Sequence, residues 1–456
     1  MTNYDIQLEM NFSERQNRFR KTVGDGRFSL LIEGPVPGPQ IPPQEAVKTL
    51  KHLEETVLGI TGIDCGLAIL DRNSNQEAWS AIEFAAHLDP ASRDRHVVYL
   101  SGRNKSMKEI DRQLAIAANA GNINVVAVSG ILDNSPERSD SGEIFKRLAQ
   151  HKNFFPGITI NPYQYDPWAL MAQYSKIPAR FATDTPTPGF FVTQMGWDTL
   201  KLQSLSWYLL SNSVFVPGFV RLFYLPPERL QYTLNNTDPG IIITKEFRKI
   251  LEDEYVTGDP QSACPGPLQD FECRRKAFSA AQLRRLKLQA AAARLLGFSG
   301  IQLCGADHPQ TALLAVQAIK QALEEFKTFE DFLPVYQSEL ADVEISSLSL
   351  SYQLFDRFFH RPYSFDKPPY PRELPDPEVS FWEKLFAKFA PKDALSPRRQ
   401  GLPTVRLCPK HKSCGPCGGV RVDGKCENGA RECVYRKWFR FAAAKDGLFG
   451  IEKELY

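Results

Sequence analysis

Five of the nine cysteines lie close together near the end of the chain, with spacing typical of a metal site. The intervals between them are five, two, eight and six residues, and glycines occupy much of that space. Tight turns that carry thiolates allow four sulfurs to converge on one tetrahedral ion at about 2.3 Å. We expect zinc in preference to an iron–sulfur cluster, because the tight cysteine repeat of ferredoxins is missing. The five candidate ligands are Cys408, Cys414, Cys417, Cys426 and Cys433.

A second set of candidate residues follows predicted β-strands. Glu33 ends the first strand and precedes a rigid loop that contains two prolines. In a partly apolar environment its pKa would be raised, and the carboxyl group could then act as a general acid. The alternative is that Glu33 pairs with a lysine or arginine at the rim. Further polar residues at or just after strand ends are Asp71, Ser101, Arg103, Asn161, Gln194 and Asp198.

Two of these positions predict ligand contacts of a particular kind. The amide of Gln194 offers a donor and an acceptor on one plane, which suits the edge of a heterocycle, although a loop cap is the simpler alternative. Ser101 and Arg103 could present a backbone N–H and a guanidinium to a phosphate. The alternative there is a helix N-cap at Ser106 beside a solvated arginine.

The sequence pattern predicts that the elements positioning these residues are repeated β-α units. Short β-branched and aromatic runs alternate with amphipathic helical patterns from residue 28 to about residue 327. Eight such units predict the α/β class and a closed (β/α)8 TIM barrel, whose βα loops at the C-terminal strand ends form the mouth. A doubly wound sheet is disfavoured because neither glycine-rich phosphate-binding motif is present. The predicted strands span residues 28–33, 64–70, 96–101, 123–129, 156–161, 190–194, 213–219 and 299–304.

Three regions are predicted along the 456 residues. Residues 1–330 form the barrel, residues 331–400 a helical and proline-rich linker or wrapping arm, and residues 401–456 the cysteine-rich module. No run of 18 apolar residues and no signal-peptide pattern is present in the sequence, so we expect a cytoplasmic protein with no membrane association.

Charge is balanced over the whole chain but not along it. The totals are 55 Lys or Arg and 53 Asp or Glu, yet residues 396–440 hold eleven basic residues and three acidic ones. We expect this basic module to dock on its own acidic barrel or on a neighbouring subunit of a homo-oligomer. A redox protein or a methyltransferase is the alternative partner. Nucleic acid is disfavoured, because the spacing is not that of a C2H2 finger.

Several motifs carry a resemblance to a known family. Residues 28–33 (FSLLIE), 120–125 (AGNINV), 156–162 (PGITINP) and 189–198 (GFFVTQMGWD) resemble the barrel of methylenetetrahydrofolate reductase. The most specific element is Thr-Gln followed by Asp four residues after the glutamine. Residues 408–434 resemble the C-terminal module that is fused to, or partnered with, some bacterial members of that family.

The resemblance implies an oxidoreductase that interconverts 5,10-methylene- and 5-methyl-tetrahydrofolate. Glu33 is then the acid that helps to open the methylene bridge, and Gln194, with Asp198 and Asp71, binds the folate. A flavin, FAD or FMN, delivers the hydride, with NAD(P)H as a further electron donor. Ile131 stands where the family usually carries an aspartate, and we expect Asp133 to substitute. The flavin is predicted to contact Ser101, Arg103, Gly130, Asp133 and Asn161.

Two rival functions belong to other classes. The barrel could bind methyl-tetrahydrofolate and present it to a methyltransferase or demethylase partner without reducing it. Alternatively, the chain could be a non-enzymatic subunit whose metal module docks an electron carrier. The presence of both Glu33 and Gln194 favours an enzyme over this second rival.

Overall fold

The computed structural model describes most of the barrel and part of the C-terminal module. Eight parallel strands form a closed barrel in which each strand pairs with the next and the eighth pairs with the first. This confirms the predicted (β/α)8 fold. The described residues are 17–34, 41–71, 80–129, 139–174, 176–181, 186–235, 241–257, 271–340, 381–382, 385, 408–409, 419–421, 424–428 and 431–436.

The strands are short and almost wholly buried, as expected for a parallel barrel that is covered by helices. Seven of the eight begin and end within one residue of their predicted limits. They are β1 Ser29–Glu33, β2 Asp64–Ile69, β3 Val97–Ser101, β4 Asn124–Val128, β5 Phe155–Ile160, β6 Phe190–Thr193, β7 Gly218–Phe223 and β8 Gly300–Cys304.

The predicted limits of β7, residues 213–219, were wrong, since only residues 218 and 219 belong to the observed strand. The predicted range includes the apolar run at residues 214–216, but this run forms the loop that enters the strand, and Phe215 is 77% exposed. The true strand begins after Pro217 and carries Arg221 in its interior. An arginine inside a barrel strand is unfavourable without a partner, so an apolar pattern alone pointed to the wrong segment.

Helices surround the barrel, and the first of them lies at its N-terminal end. They are α1 Arg18–Gly24, α2 Pro43–Leu58, α3 Ala81–Ala85, α4 Met107–Ala120, α5 Ser141–Gln150, α6 Pro167–Tyr174, α7 Lys176–Arg180, α8 Thr199–Ser211, α9 Leu230–Leu234, α10 Lys245–Thr257, α11 Phe271–Leu295, α12 Pro309–Glu325 and α13 Phe329–Glu339. The last of these spans the predicted boundary at residue 330. None of the helices in the described ranges combines the length and the apolar character that crossing a bilayer requires.

Aromatic rings close the barrel interior at the N-terminal ends of the strands. Phe19 of α1 contacts Phe155, Phe190 and Phe219, with ring centroids 5.1 to 6.1 Å apart. A Cβ atom at Gly157 would lie 2.5 Å from the ring of Phe190, so only glycine fits beside that ring. The open end of the barrel is therefore the C-terminal end, where the predicted functional residues lie.

Candidate functional site

Glu33 lies at the C-terminal end of β1 and is only 4% exposed. Arg221 of β7 donates two hydrogen bonds to it: Nη2 lies 2.9 Å from Oε2, and Nε bonds Oε1. This is the two-point geometry in which a guanidinium fork matches a carboxylate. The outcome corresponds to the alternative weighed for Glu33, an ion pair inside the barrel.

Two further strands contribute polar groups to the same network. Gln302 of β8 donates from Nε2 to Glu33 Oε1 at 2.7 Å, and Tyr99 of β3 donates its hydroxyl to Gln302 Oε1 at 2.6 Å. Strand register explains the arrangement, because Arg221 and Gln302 are direct partners in the β7–β8 ladder. We call Glu33, Arg221, Gln302 and Tyr99 the mouth network. It fixes the orientation of the carboxylate from three strands.

The raised pKa predicted for Glu33 is not found. Burial alone would raise the pKa of this carboxyl group, and it is the largest single influence. The charge and hydrogen bonds of Arg221, together with Gln302 and Cys304, outweigh it and hold the pKa below its usual value. Glu33 is therefore an ionised carboxylate in this arrangement and not a neutral acid.

Burial also controls the other titratable groups around the network. It raises the pKa of the Cys304 thiol well above its usual value, and the neighbouring carboxylate of Glu33 adds to this. The pKa of the Tyr99 hydroxyl is likewise raised by burial. Both groups are therefore protonated at neutral pH, and Tyr99 acts as a hydrogen-bond donor.

Arg221, Gln302 and Tyr99 were not predicted as site residues. Arg221 was missed because the predicted β7 ended two residues before it. Gln302 gave a usable signal, since it is a lone amide between apolar residues in a strand that was placed correctly. A buried amide in such a position needs a polar partner, and the only inward charge predicted on the adjoining β1 was Glu33.

Asp71 braces the loops that follow β2 and β3. Its Oδ2 accepts hydrogen bonds from the backbone N–H of Ser101 at 2.9 Å and from Lys105 Nζ at 2.5 Å. Its Oδ1 accepts from the backbone N–H of Ala81 at 3.2 Å. Substrate binding by Asp71 stays a prediction, and it would have to compete with these contacts.

Gln194 directly follows β6 beside the strand that carries Arg221. The hydroxyl of Thr193 accepts the backbone N–H of Arg221 at 2.9 Å, which places Gln194 next to the mouth network. The residue is partly exposed, and its backbone N–H donates to the carbonyl of Ile160 at 2.7 Å, whereas its side-chain amide makes no hydrogen bond within the described ranges. Ligand binding by Gln194 stays a prediction.

Asp198 begins helix α8 as its N-cap. Oδ1 accepts from the backbone N–H of Leu200 at 3.1 Å and from that of Lys201 at 3.3 Å. Burial raises the pKa of this carboxyl group, although the charge of Lys201 opposes the shift. The contacts that the structure shows are those of a helix cap, so a role in folate binding stays a prediction.

Two of the five predicted flavin contacts, Ser101 and Asn161, already make hydrogen bonds within the protein. The backbone N–H of Ser101 is bonded to Asp71, and its Oγ accepts from the backbone N–H of Arg103 at 3.2 Å. Asn161 Oδ1 accepts from the backbone N–H of Tyr163 at 3.0 Å. The Ser101 hydroxyl hydrogen and the Asn161 Nδ2 group take no part in these bonds, so flavin binding by these residues stays a prediction. Gly130 and Asp133 lie outside the described residues.

The described part of the cysteine-rich module packs against the β5–α6 loop of the barrel. Arg436 forms an ion pair with Asp166, with Nη2 2.7 Å from Oδ2 and Nε 2.8 Å from Oδ1. Ala169 of α6 belongs to one buried cluster with Cys408, Val420, Cys433 and Tyr435. The basic module thus docks on its own barrel, through one of the loops at the C-terminal strand ends.

Three of the five predicted metal ligands are described, and all three are buried. Cys408, Cys426 and Cys433 are 6 to 9% exposed. Cys426 pairs with Val420 in an antiparallel bridge, which forms the kind of tight turn that such a site needs. Within the described residues, no three potential ligands come together around one point. Cys414 and Cys417 lie outside them, so the metal site stays a prediction.

Comparisons with known proteins agree with this module. Residues 398–451 match the family model described as "Methylene-tetrahydrofolate reductase C terminal". No curated protein matches the chain. A solved structure from Clostridium thermocellum, an uncharacterized protein described as binding two copies of 5-methyl-5,6,7,8-tetrahydrofolic acid, shares 13% identity with this chain. That similarity covers 66% of this chain and 97% of the other, with a TM-score of 0.43. The family match confirms the resemblance that the cysteine spacing predicted for the C-terminal module.

Proposed function

We propose that the barrel mouth binds a reduced folate and that the protein interconverts 5,10-methylene- and 5-methyl-tetrahydrofolate. One observation carries the proposal. The module that matches the methylenetetrahydrofolate reductase C-terminal family is docked, through Arg436 and Asp166, on a βα loop of the same barrel face that holds Glu33. The mouth network and Gln194 supply that face with groups suited to a pterin.

Glu33 begins this reaction as an ionised carboxylate paired with Arg221. To donate a proton to the departing nitrogen of the methylene bridge, it must first lose that partner and take up a proton from solvent. Since burial is the largest influence on its pKa, withdrawal of Arg221 toward an incoming substrate would raise the pKa of Glu33 and favour the neutral acid. The ion pair thus keeps the acid inactive until substrate arrives.

Gln194 would orient the substrate. Its amide can pair with a donor and an acceptor on the pterin edge at once, and its position beside Arg221 brings that edge toward Glu33. A bound flavin or nicotinamide supplies the hydride in a reductase of this kind. The chain's own residues provide binding, orientation and the proton.

For the C-terminal module we propose a structural zinc site formed by four of its five cysteines. The buried thiols of Cys408, Cys426 and Cys433 support this, because thiolates on tight turns suit zinc. The module would then hold its shape against the barrel independently of the reaction at the mouth.

A second function is favoured by a specific observation. The Glu33 carboxylate already accepts hydrogen bonds from three protein groups, Arg221, Gln302 and Cys304. If Arg221 does not leave it, the mouth can still bind 5-methyl-tetrahydrofolate and present it to a methyltransferase partner, with no acid required.

The deciding experiment measures oxidation of NADH and NADPH that depends on 5,10-methylene-tetrahydrofolate, beside an absorption spectrum of the anaerobically purified protein. Glu33→Gln should lower turnover by about 10²-fold or more, as expected on losing a general acid. Glu324→Gln, an exposed carboxylate on α12, is the matched control and should leave turnover unchanged. Binding of 5-methyl-tetrahydrofolate without any reduction would favour the second function, and absence of folate binding would overturn both.

A further inference from the structure

The barrel has a cavity at the end opposite the mouth. It measures about 230 Å³ and lies between α1 and the N-terminal ends of β1 and β2. Since a water molecule occupies about 30 Å³ in the liquid, the space is large enough for several waters or one small ligand. Its lining residues are Arg18, Phe19, Lys21, Thr22, Arg27, Ser29, Asp64, Cys65 and Arg95.

The charges around this cavity are unequal. Four lining residues are basic, and Asp64 is the single acidic one. Arg27 Nη1 lies 2.9 Å from Asp64 Oδ2 and Arg27 Nε lies 3.8 Å from Asp25 Oδ2, while Arg18 pairs with Asp94 outside the cavity. Within the described ranges, neither Lys21 nor Arg95 forms an ion pair or a side-chain hydrogen bond.

Arg95 is partly buried at this site and close enough to act on Cys65. The guanidinium of Arg95 and the ammonium of Lys320 both lower the pKa of the Cys65 thiol, although burial still raises it to about 12. Hydroxyl groups of Thr22 and Ser29 complete the lining. Within the described residues Lys21 and Arg95 have no carboxylate partner, so a lining with this positive charge is complementary to a small anion.

We infer that this cavity is an anion site for a small phosphorylated molecule, up to the size of a diphosphate. The site is separate from the proposed folate site, because the two lie at opposite ends of the strands. It spans α1 and three strand starts, through Lys21, Arg27, Asp64 and Arg95. A bound anion would therefore hold α1 against the barrel, and with α1 the ring of Phe19 that packs on the lower ends of the strands.

The test is calorimetric titration of the full chain with inorganic pyrophosphate and, separately, with orthophosphate. We expect saturable one-to-one binding of pyrophosphate, and weaker binding of orthophosphate, which satisfies fewer of the cations. Lys21→Gln changes an exposed residue and should leave folding intact while weakening binding about tenfold or more, as expected for one lost charge-assisted hydrogen bond. Arg95→Gln should weaken binding at least as much.

Lys51→Gln, an exposed lysine on α2 outside the cavity, is the matched control and should bind like the wild type. A second readout is thermal unfolding, which pyrophosphate should shift upward in the wild type and in Lys51→Gln but much less in the two cavity variants. Absence of saturable binding, or an equal loss in all three variants, would overturn the proposal, since the latter reports only general surface charge. Folate binding at the mouth is measured in parallel and should not change in any variant.

Discussion

Arg221 holds Glu33 by a two-point ion pair that joins β7 to β1 across the barrel mouth, 188 residues apart in sequence. The carboxylate is 6% exposed and the guanidinium 18%, so both charges are largely removed from water. A pair of this kind depends on both partners, because either charge left alone in the mouth is costly. That dependence makes the pair directly testable.

Arg221→Met should destabilise the protein by about 3–5 kcal/mol, because it leaves Glu33 buried without its partner. The double variant Glu33→Gln with Arg221→Met should lose less than the two single variants together. Urea unfolding measures all three. Arg112→Met, which removes ion pairs to Glu83 and Glu109 from an arginine side chain that is 52% exposed, is the control and should cost less than about 1 kcal/mol. Simple additivity of the two mouth substitutions would contradict the coupling.

The pH dependence of stability should report the same pair. Since the folded pKa of Glu33 is lowered, its contribution is fully present above the unfolded pKa of about 4.3 and is lost as pH falls through the folded value. The difference in unfolding free energy between wild type and Glu33→Gln should therefore be largest above about pH 5 and shrink toward pH 3. A difference that stays constant over this range would show that Glu33 is not ionised.

The architecture could be predicted from sequence because parallel strands in a barrel are short apolar runs with clear breaks. Seven strands were located in this way. The mouth network could not be predicted from sequence, because Glu33, Arg221 and Gln302 meet only when β7 and β8 close onto β1. A sequence pattern does not indicate contacts between distant strands. In addition, Arg221 interrupts the apolar pattern of β7, so the strand was placed too early in the chain. The same limit applied to the pKa of Glu33, whose sign depends on a partner that pattern did not reveal.

Asp71 and Asp198 illustrate a related limit. Both stand at the strand ends where functional groups are expected, yet one braces two loops and the other caps α8. An aspartate after a strand serves equally well as a ligand or as a cap for the next helix. Position alone therefore could not separate these roles.

Gln194→Ala should weaken binding of 5-methyl-tetrahydrofolate by about 1–3 kcal/mol if the amide pairs with the pterin edge. The side chain is partly exposed and makes no hydrogen bond to the rest of the described chain, so overall stability should change little. Gln321→Ala, an exposed residue on α12, provides the control. Fluorescence or calorimetric titration measures the affinity, and unchanged affinity would remove Gln194 from the site.

Asp166→Asn should loosen the C-terminal module without unfolding α6. The amide keeps an oxygen that can accept the backbone N–H of Ala169, now bonded at 2.9 Å, but loses the charge that pairs with Arg436. We expect docking to weaken by about 1–3 kcal/mol, as for a hydrogen bond between charged groups. Hydrogen exchange at residues 424–436 should accelerate while exchange in the barrel strands stays slow. Asp111, whose side chain is 47% exposed, pairs with Arg147 on the surface. Asp111→Asn should change neither the exchange of the module nor that of the barrel strands.

Metal removal should act on the module before the barrel. If four of the five cysteines bind zinc, a chelator or Cys417→Ser should release the ion and abolish protection at residues 419–436, because a module this small gains much of its stability from the metal. The thermal transition of the barrel should move little, since its core is built from the strands and helices of residues 17–340. Elemental analysis should find about one zinc per chain before treatment, and restoring zinc should restore protection in the wild type only. A module whose exchange is indifferent to chelation, in a protein that contains no metal, would show instead that Cys408, Cys426 and Cys433 stabilise the module by packing alone.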